Sequence, residues 1–283
     1  MKKLRLFVFG CFGFLLASCS SDSGSGAGSS EDQNPLYLKS YVLTSPDMGG
    51  VYDSFYAYQN GFLTNGTGFN ANGGTYQYDA QGKLTRSSTM YETFDYTYDA
   101  QGRLIKRTKV GTNDYTSLLY SGNKVTVKNY YEVSGDPVED RVDLYLNSAG
   151  QITKLRRLTP TDDYSFMVED YVYDSRGNIT QKWSRENNYG DPDQSITFTY
   201  DNQKNPFYYA LKKLHRSTYL LECRLGVPNY EFRGFTPNNL KTVGSSQIYE
   251  YSYNERGYPV GYIKTYENGG SSPGVSEYAI EYW

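Results

Sequence analysis

The chain has 283 residues, with 28 Lys plus Arg against 31 Asp plus Glu and a net charge of −3 at neutral pH. A mildly acidic chain without a basic run is a poor nucleic-acid binder, because phosphate neutralisation by Lys and Arg dominates that affinity. Its 32 Tyr outnumber the 13 Phe and 2 Trp together, so any interior built from them must find partners for many phenolic hydroxyls.

At the amino end, Lys2, Lys3 and Arg5 precede an apolar run from Leu6 to Leu16 that includes Phe7, Val8, Phe9, Phe12 and Phe14. This is the layout of a secretory signal, and the run is too short to span a bilayer. It ends in Leu16, Ala17, Ser18 and Cys19, which resembles the lipobox of bacterial lipoproteins. The resemblance implies a signal peptide over residues 1–18, lipidation of Cys19 and, with Ser20 following, a lipid anchor in the outer membrane. Several acyl chains hold a protein stably where one is marginal. Residues 19–34 read as a flexible tether, since Ser20 to Ser30 is Ser and Gly apart from Asp22 and Ala27 and offers little apolar surface to offset the entropy of ordering. Loss of residues 1–18 removes three basic groups, leaving 25 against 31 acidic ones and a net charge of −6. Cys11 leaves with the signal and Cys19 carries lipid, so Cys223 has no intramolecular disulfide partner.

The folded part, residues 35–283, is organised by self-similarity. Tyr76 to Leu84 (YQYDAQGKL) recurs as Tyr96 to Leu104 (YTYDAQGRL), as Tyr171 to Ile179 (YVYDSRGNI) and as Tyr251 to Gly257 (YSYNERG). Degenerate copies sit at Tyr145 to Ile152, which keeps Asn147 and Gly150, and at Phe198 to Pro206, where Lys204 and Asn205 stand in place of the glycine. Shorter turns fall at Tyr58 to Gly61 and Tyr120 to Asn123. Tyr, polar, Tyr is the period-two alternation of a half-buried strand. Asp79, Asp99, Asn147, Asp174 and Asn254 open four-residue turns, and Gly82, Gly102, Gly150, Gly177 and Gly257 close them at positive φ. Each copy is therefore a β-hairpin, and consecutive hairpins make an antiparallel meander. Two strands separate successive turns, which puts all of these turns along one edge and the longer loops along the other. The polar positions between the tyrosines, Gln77, Thr97 and Ser252, are incompatible with a lipid-facing strand face.

This pattern resembles the tyrosine-aspartate repeats of the RHS family, carried here by Tyr78, Asp79, Gly82 and Leu84 and their later counterparts. With the lipobox and the segment Asp201 to Phe207, it also resembles Bacteroides-type lipoproteins whose domain of unknown function is described as porin-like. The resemblance implies an all-β, curled or barrel-like antiparallel sheet and supplies no activity. The stretch 205–243 breaks the repeat. Pro206, Pro228 and Pro237 interrupt pairing, and apolar residues at 207, 208, 211 and 214 have helical spacing, so an insertion covering a mouth of the sheet is expected there.

Nothing in the sequence identifies a catalytic site. His215 is the one histidine and has no G-x-S-x-G elbow beside it; it reads as a surface or cap residue. Cys223, among Leu220, Leu221 and Leu225, reads as a buried small hydrophobe. No His and Cys cluster offers a metal site. The loop carboxylates Asp136, Glu139, Asp140, Asp162, Asp163, Asp191 and Asp193 lack the spacing of a calcium loop and suit turn geometry. The periodic tyrosines are packing residues, which leaves Trp183 and Trp283 as candidates for contact with sugar rings. The expected function is a non-catalytic binding module for a glycan or surface protein, with no cofactor. A structural envelope protein is the alternative, and a carboxylate-dependent glycoside hydrolase is a distant third.

Overall fold

The computed structural model describes residues 35–45, 50–68, 74–158, 165–186, 194–223, 235–267 and 274–283. In the first half the strands are β1 Leu38–Ser45, β2 Gly50–Gln59, β3 Phe62–Gly68, β4 Gly74–Tyr78, β5 Leu84–Ser88, β6 Thr93–Tyr98, β7 Leu104–Lys109, β8 Tyr115–Ser121 and β9 Lys124–Val133. In the second they are β10 Asp136–Leu146, β11 Ile152–Leu158, β12 Ser165–Tyr173, β13 Ile179–Glu186, β14 Gln194–Lys204, β15 Asn238–Val243, β16 Gln247–Tyr253, β17 Pro259–Tyr266 and β18 Gly274–Tyr282. Helix α1, Pro206–Glu222, lies between β14 and β15. The expected meander closes on itself. Each strand pairs antiparallel with its neighbours in sequence, and β1 pairs with β18, Tyr41 opposite Ile280 and Leu43 opposite Tyr278, to complete an 18-stranded barrel. Closure gives every strand two partners and removes the exposed edges that invite aggregation.

The hairpin turns share one construction. The Asp79 carbonyl accepts from Gly82 N at 3.0 Å, and its carboxylate accepts from Gln81 N and Lys83 N at 2.9 and 2.8 Å. Asn147 and Asn254 make the same pattern with a neutral amide oxygen, so geometry and not charge is what the position requires. Gly82, Gly102, Gly150, Gly177 and Gly257 have φ of 77°, 79°, 77°, 91° and 74°. At Gly82 a Cβ would also fall 2.6 Å from the Phe62 ring. Just past the turn the register slips by one residue, as between Gln77 and Tyr78. The hydroxyl of the bulged threonine then reaches back to the facing strand: Thr64 to Ala57 O, Thr85 to Gln77 O, Thr153 to Tyr145 O and Thr180 to Val172 O, at 3.1, 3.1, 3.2 and 3.3 Å.

Between one hairpin and the next, the ladder starts late. β5 and β6 first pair at Arg86 and Asp95, so the Leu84 carbonyl lies beyond the end of their ladder. Tyr98 Oη donates to it at 2.8 Å. The same bond recurs from Tyr78 to Leu63 O, Tyr120 to Leu104 O, Tyr173 to Ile152 O, Tyr200 to Ile179 O, Tyr251 to Leu240 O and Tyr282 to Pro259 O, at 2.6–2.9 Å. A phenol is needed because a buried carbonyl left unpaired costs about 1–3 kcal/mol. Two junctions depart from this. Tyr58, the inward tyrosine at the turn end of β2, has a buried hydroxyl with no hydrogen-bond partner among the described residues. The ladder of β9 and β10 runs down to Lys124 opposite Tyr145, and the equivalent inward residue there is Leu146.

That exception also corrects the sequence reading. Aligned on its turn, Leu146 takes the place of Tyr78, and Tyr145 takes that of Gln77 on the outer face, paired with Lys124 and Lys154. The copy at Phe198 is likewise not a simple hairpin, because β14 runs into α1 and its return strand is β15. Within the stretch 205–243 the chain thus rejoins the sheet at Asn238. Asn205 caps α1 by accepting from Phe207 N at 3.0 Å, and its amide donates to Thr236 O at 2.8 Å, tying the two ends of the insertion together. The helix buries Phe207, Ala210, Leu211, Leu214, Thr218 and Leu221, a stripe of helical period. It touches strands from opposite parts of the ring. Phe207 packs edge-on against Tyr41 at 5.2 Å, Tyr209 lies 6.2 Å from Tyr258, Lys213 Nζ donates to Asn60 O at 2.9 Å, and Tyr219 Oη accepts from Ile152 N at 3.3 Å. The helix therefore sits inside the barrel, at the end that carries the Tyr-Asp turns. A void of about 20 Å³ remains beside its start, among Phe207, Leu240, Tyr249 and Tyr262, which is room for about one water.

The rungs make two predictions. Tyr98→Phe and Tyr200→Phe should each lower unfolding free energy by about 1 kcal/mol or more, whereas Tyr145→Phe on the outer wall should change it little; denaturant titration measures all three. Burial also raises the hydroxyl pKa of Tyr78, Tyr173, Tyr200 and Tyr282 well above the free value, and that of Tyr120 to about 12 against the opposing pull of Arg103. An acid raised on folding contributes stability that is complete below its unfolded value of about 10 and is lost as pH climbs through the folded value. Absorbance titration should show these phenols ionising together with unfolding above that pH; reversible ionisation of the folded barrel at the free value would contradict it.

Candidate functional site

Alternation along the strands divides the barrel into an inner and an outer surface of different composition. Leu38, Tyr41, Leu84, Leu104, Val125, Leu144, Leu155, Ile179, Phe198 and Ile280 point inward and are buried in one cluster with α1. Toward the long-loop end the inward positions turn polar, with Arg107, Thr116 and Asn129 joined at 3.3 and 2.8 Å. Arg107 stacks 4.3 Å over Phe94, and burial lowers its pKa. Deeper in, Lys182 Nζ lies 3.2 Å from Glu169 Oε1, and Tyr171 Oη donates to the other carboxylate oxygen; all three are buried.

The outer wall carries Gln77, Thr97, Lys106, Thr197, Thr199, Glu250, Ser252 and Glu277. Ion pairs cross it between strands, including Arg86–Asp95 at 2.6 Å, Lys128–Glu139 at 2.8 Å and Lys39–Glu281 at 3.2 Å. Asp143 is covered there by Lys124 at 3.4 Å and Arg141 at 3.6 Å, and accepts from Thr126 at 2.7 Å. Exposed pairs of this kind contribute little stability each, and they share the outer face with exposed apolar residues such as Val51, Phe55, Leu119, Ile248 and Ile263.

On that wall a groove of about 710 Å³ runs across β10 to β13, lined by Tyr145, Thr153, Lys154, Arg156, Val168, Asp170 and Arg185. Asp170 bridges Lys154 at 3.2 Å and Arg185 at 2.5 Å. Trp183 stands opposite Asp170 in register and is 39% exposed. A second recess, near the long-loop end of β6 to β10, is bordered by Tyr115 and Tyr130, stacked at 4.4 Å, and by Tyr131, whose hydroxyl donates to Asp140 at 3.0 Å.

The two tryptophans fall in different settings. Trp183 lies in the middle of β13, beside the groove. Trp283 follows β18, with its indole N–H donating to Tyr56 O at 3.2 Å and Lys39 5.6 Å above its ring, so it acts as a clasp on the closing seam. Cys223 is fully buried beyond α1, and burial raises its thiol pKa. His215 falls within α1, and its side chain lies outside the described residues, as do Cys19, Asp162, Asp163, Asp191 and Asp193. Glu139 and Asp140 are engaged by Lys128 and Tyr131. Among the described residues no group of three His, Cys, Asp or Glu side chains comes together. Sequence reasoning singled out Trp183 and Trp283 for their ring chemistry. It missed the groove, which exists only through cross-strand register, although a tyrosine at the outward position of a turn that keeps its Asn and Gly was a visible signal.

The fold and site define a closed, helix-plugged antiparallel barrel with a mainly apolar interior and an outer wall that mixes charged and polar residues with exposed apolar ones. No protein-family model matches the chain, and no curated protein matches it. Among solved structures, a porin-like protein from Bacteroides uniformis aligns with 87% of this chain and 98% of its own, at 10% identity and a TM-score of 0.40. A porin-like protein from Bacteroides vulgatus aligns with 88% and 99%, at 12% identity and a TM-score of 0.37. The TcdB2-TccC3 structure aligns with 86% of this chain but 14% of its own, at 14% identity and a TM-score of 0.36.

The buried pair gives a test of the interior. Lys182→Met should destabilise the barrel by about 3–5 kcal/mol, because Glu169 is then left charged and uncompensated. Adding Glu169→Gln should recover most of that loss in denaturant titration.

Proposed function

We propose that this protein is a lipid-anchored envelope protein whose barrel is a non-catalytic binding module held off the membrane by its Ser and Gly tether. The observation that carries this reading is the reversed partition of the barrel. A membrane barrel needs an uninterrupted outward apolar band, and here Lys, Arg, Asp, Glu and Thr are interspersed on that face with exposed Val, Ile, Leu and Phe side chains, while a buried apolar cluster and a helix occupy the inside. Such a barrel is a rigid scaffold that presents its wall and loops to the surroundings. Cys19 at the end of the lipobox supplies the anchor in this reading, and the tether sets the reach.

Cys19→Ser should abolish incorporation of labelled palmitate in cells, and a chain that starts at Glu31 should stay monodisperse without detergent. Aggregation of that chain, relieved by detergent alone, would refute the reading.

A further inference from the structure

We infer that the wall of β10 to β13 is a binding site for an acidic polysaccharide, one whose sugar rings carry carboxylate or sulfate groups. The inference deepens the binding-module reading and rests on it. Its starting point is a row of residues that strand register places side by side on the outer face: Lys124, Tyr145, Lys154, Asp170, Trp183 and Ser195. Tyr145 and Trp183 are three strands apart in this row, or about 14 Å at the usual interstrand spacing. Two aromatic rings at that separation on a wall facing water suit the apolar faces of sugars along one short chain.

Neither aromatic is explained by the fold. In the other copies of the repeat the position of Tyr145 holds Gln77, Thr97, Val172 or Ser252, and the rung position inside is already filled by Leu146. Trp183 pairs with Asp170 and Ser195 on a face that the core does not use.

The charge between the rings sets the ligand class. In the adjoining row Arg156 lies opposite Asp143 and Val168. Asp143 is already held by Lys124, Arg141 and Thr126. Among the described residues Arg156 has no carboxylate at ion-pair distance, so its guanidinium is open to an anion within the groove. Asp170 spans Lys154 and Arg185 and screens both. Three cations against one carboxylate line this groove in a chain whose net charge is −3. A neutral glycan would leave Arg156 unused; a planar carboxylate or a sulfate fits its fork of donors.

The test uses the full lipoprotein in detergent micelles, with polygalacturonate, chondroitin sulfate and neutral dextran as immobilised probes. Binding is expected to one or both acidic polymers and not to dextran, and it should weaken as salt rises. Trp183→Ala and Arg156→Gln should each weaken it about tenfold. Asp170→Asn should strengthen it by releasing Lys154 and Arg185, and Trp283→Ala should leave it unchanged. All four side chains are at least partly exposed, and unfolding midpoints check that each variant is folded. Failure to bind either acidic polymer, or binding that survives both Trp183→Ala and Arg156→Gln, would overturn the site. Dextran bound more tightly than the acidic polymers would also overturn it while leaving a binding module standing. Release of reducing ends from any probe would overturn the non-catalytic reading itself.

Discussion

The barrel depends on a tyrosine hydroxyl reaching the carbonyl that the next hairpin leaves open. Bulged turns splay neighbouring hairpins at one end, and at most junctions the ladder between them stops short of the turn. Seven junctions are closed by the same phenol-to-carbonyl bond, from Tyr78 and Leu63 to Tyr282 and Pro259. This explains why the repeat specifies Tyr where Phe would fill the same space. It also explains where the rule relaxes. At β9 and β10 the strands stay paired to the turn, and Leu146 suffices. Beside the helical insertion the donor shifts to Tyr251, and Tyr253 is engaged by Asp201.

From the rungs follows the partition of the whole molecule. Rungs fix the tyrosines inward, inward tyrosines make an apolar interior, and an apolar interior wide enough for eighteen strands needs filling. Helix α1 supplies that filling at the turn end, pinned by Asn205 to Thr236 and by Lys213 to Asn60. Along the closing seam, Tyr262 and Tyr278 stack at 4.1 Å, and Tyr41 and Tyr262 share a 2.6 Å hydrogen bond. The alternate residues then lie on the outer face, clear of the packed core. That freedom lets Tyr145, Arg156 and Trp183 form a surface feature without disturbing the core.

Much of this was legible in the sequence because its causes are local. Asp79 with Gly82, and the period-two tyrosines, announce hairpins within nine residues, and the spacing of Phe207, Leu211 and Leu214 announces a helix. What escaped depends on register over long distances. Closure of β1 on β18 joins residues about as far apart in sequence as the folded chain allows, and no local signal encodes it. The bulges that call for Thr64, Thr85, Thr153 and Thr180 show only once strands are paired. Tyr145 opens a degenerate copy and stands two residues before Asn147, one more than the rung position, so the alternation of the strand turns it outward. The groove lined by Tyr145, Arg156, Asp170 and Arg185 needed four strands in register to exist.

The central claim is that this barrel turns its polar wall to water and keeps its apolar side within. Trp183 stands on that wall, and Trp283→Phe leaves it the one tryptophan in the chain. The direct measurement is fluorescence quenching of that variant as the full lipoprotein in lipid vesicles. Quenching by aqueous acrylamide, with no effect of brominated acyl chains, is the result the account predicts. Quenching by brominated lipid, with protection from acrylamide, would put the wall in the membrane and contradict it.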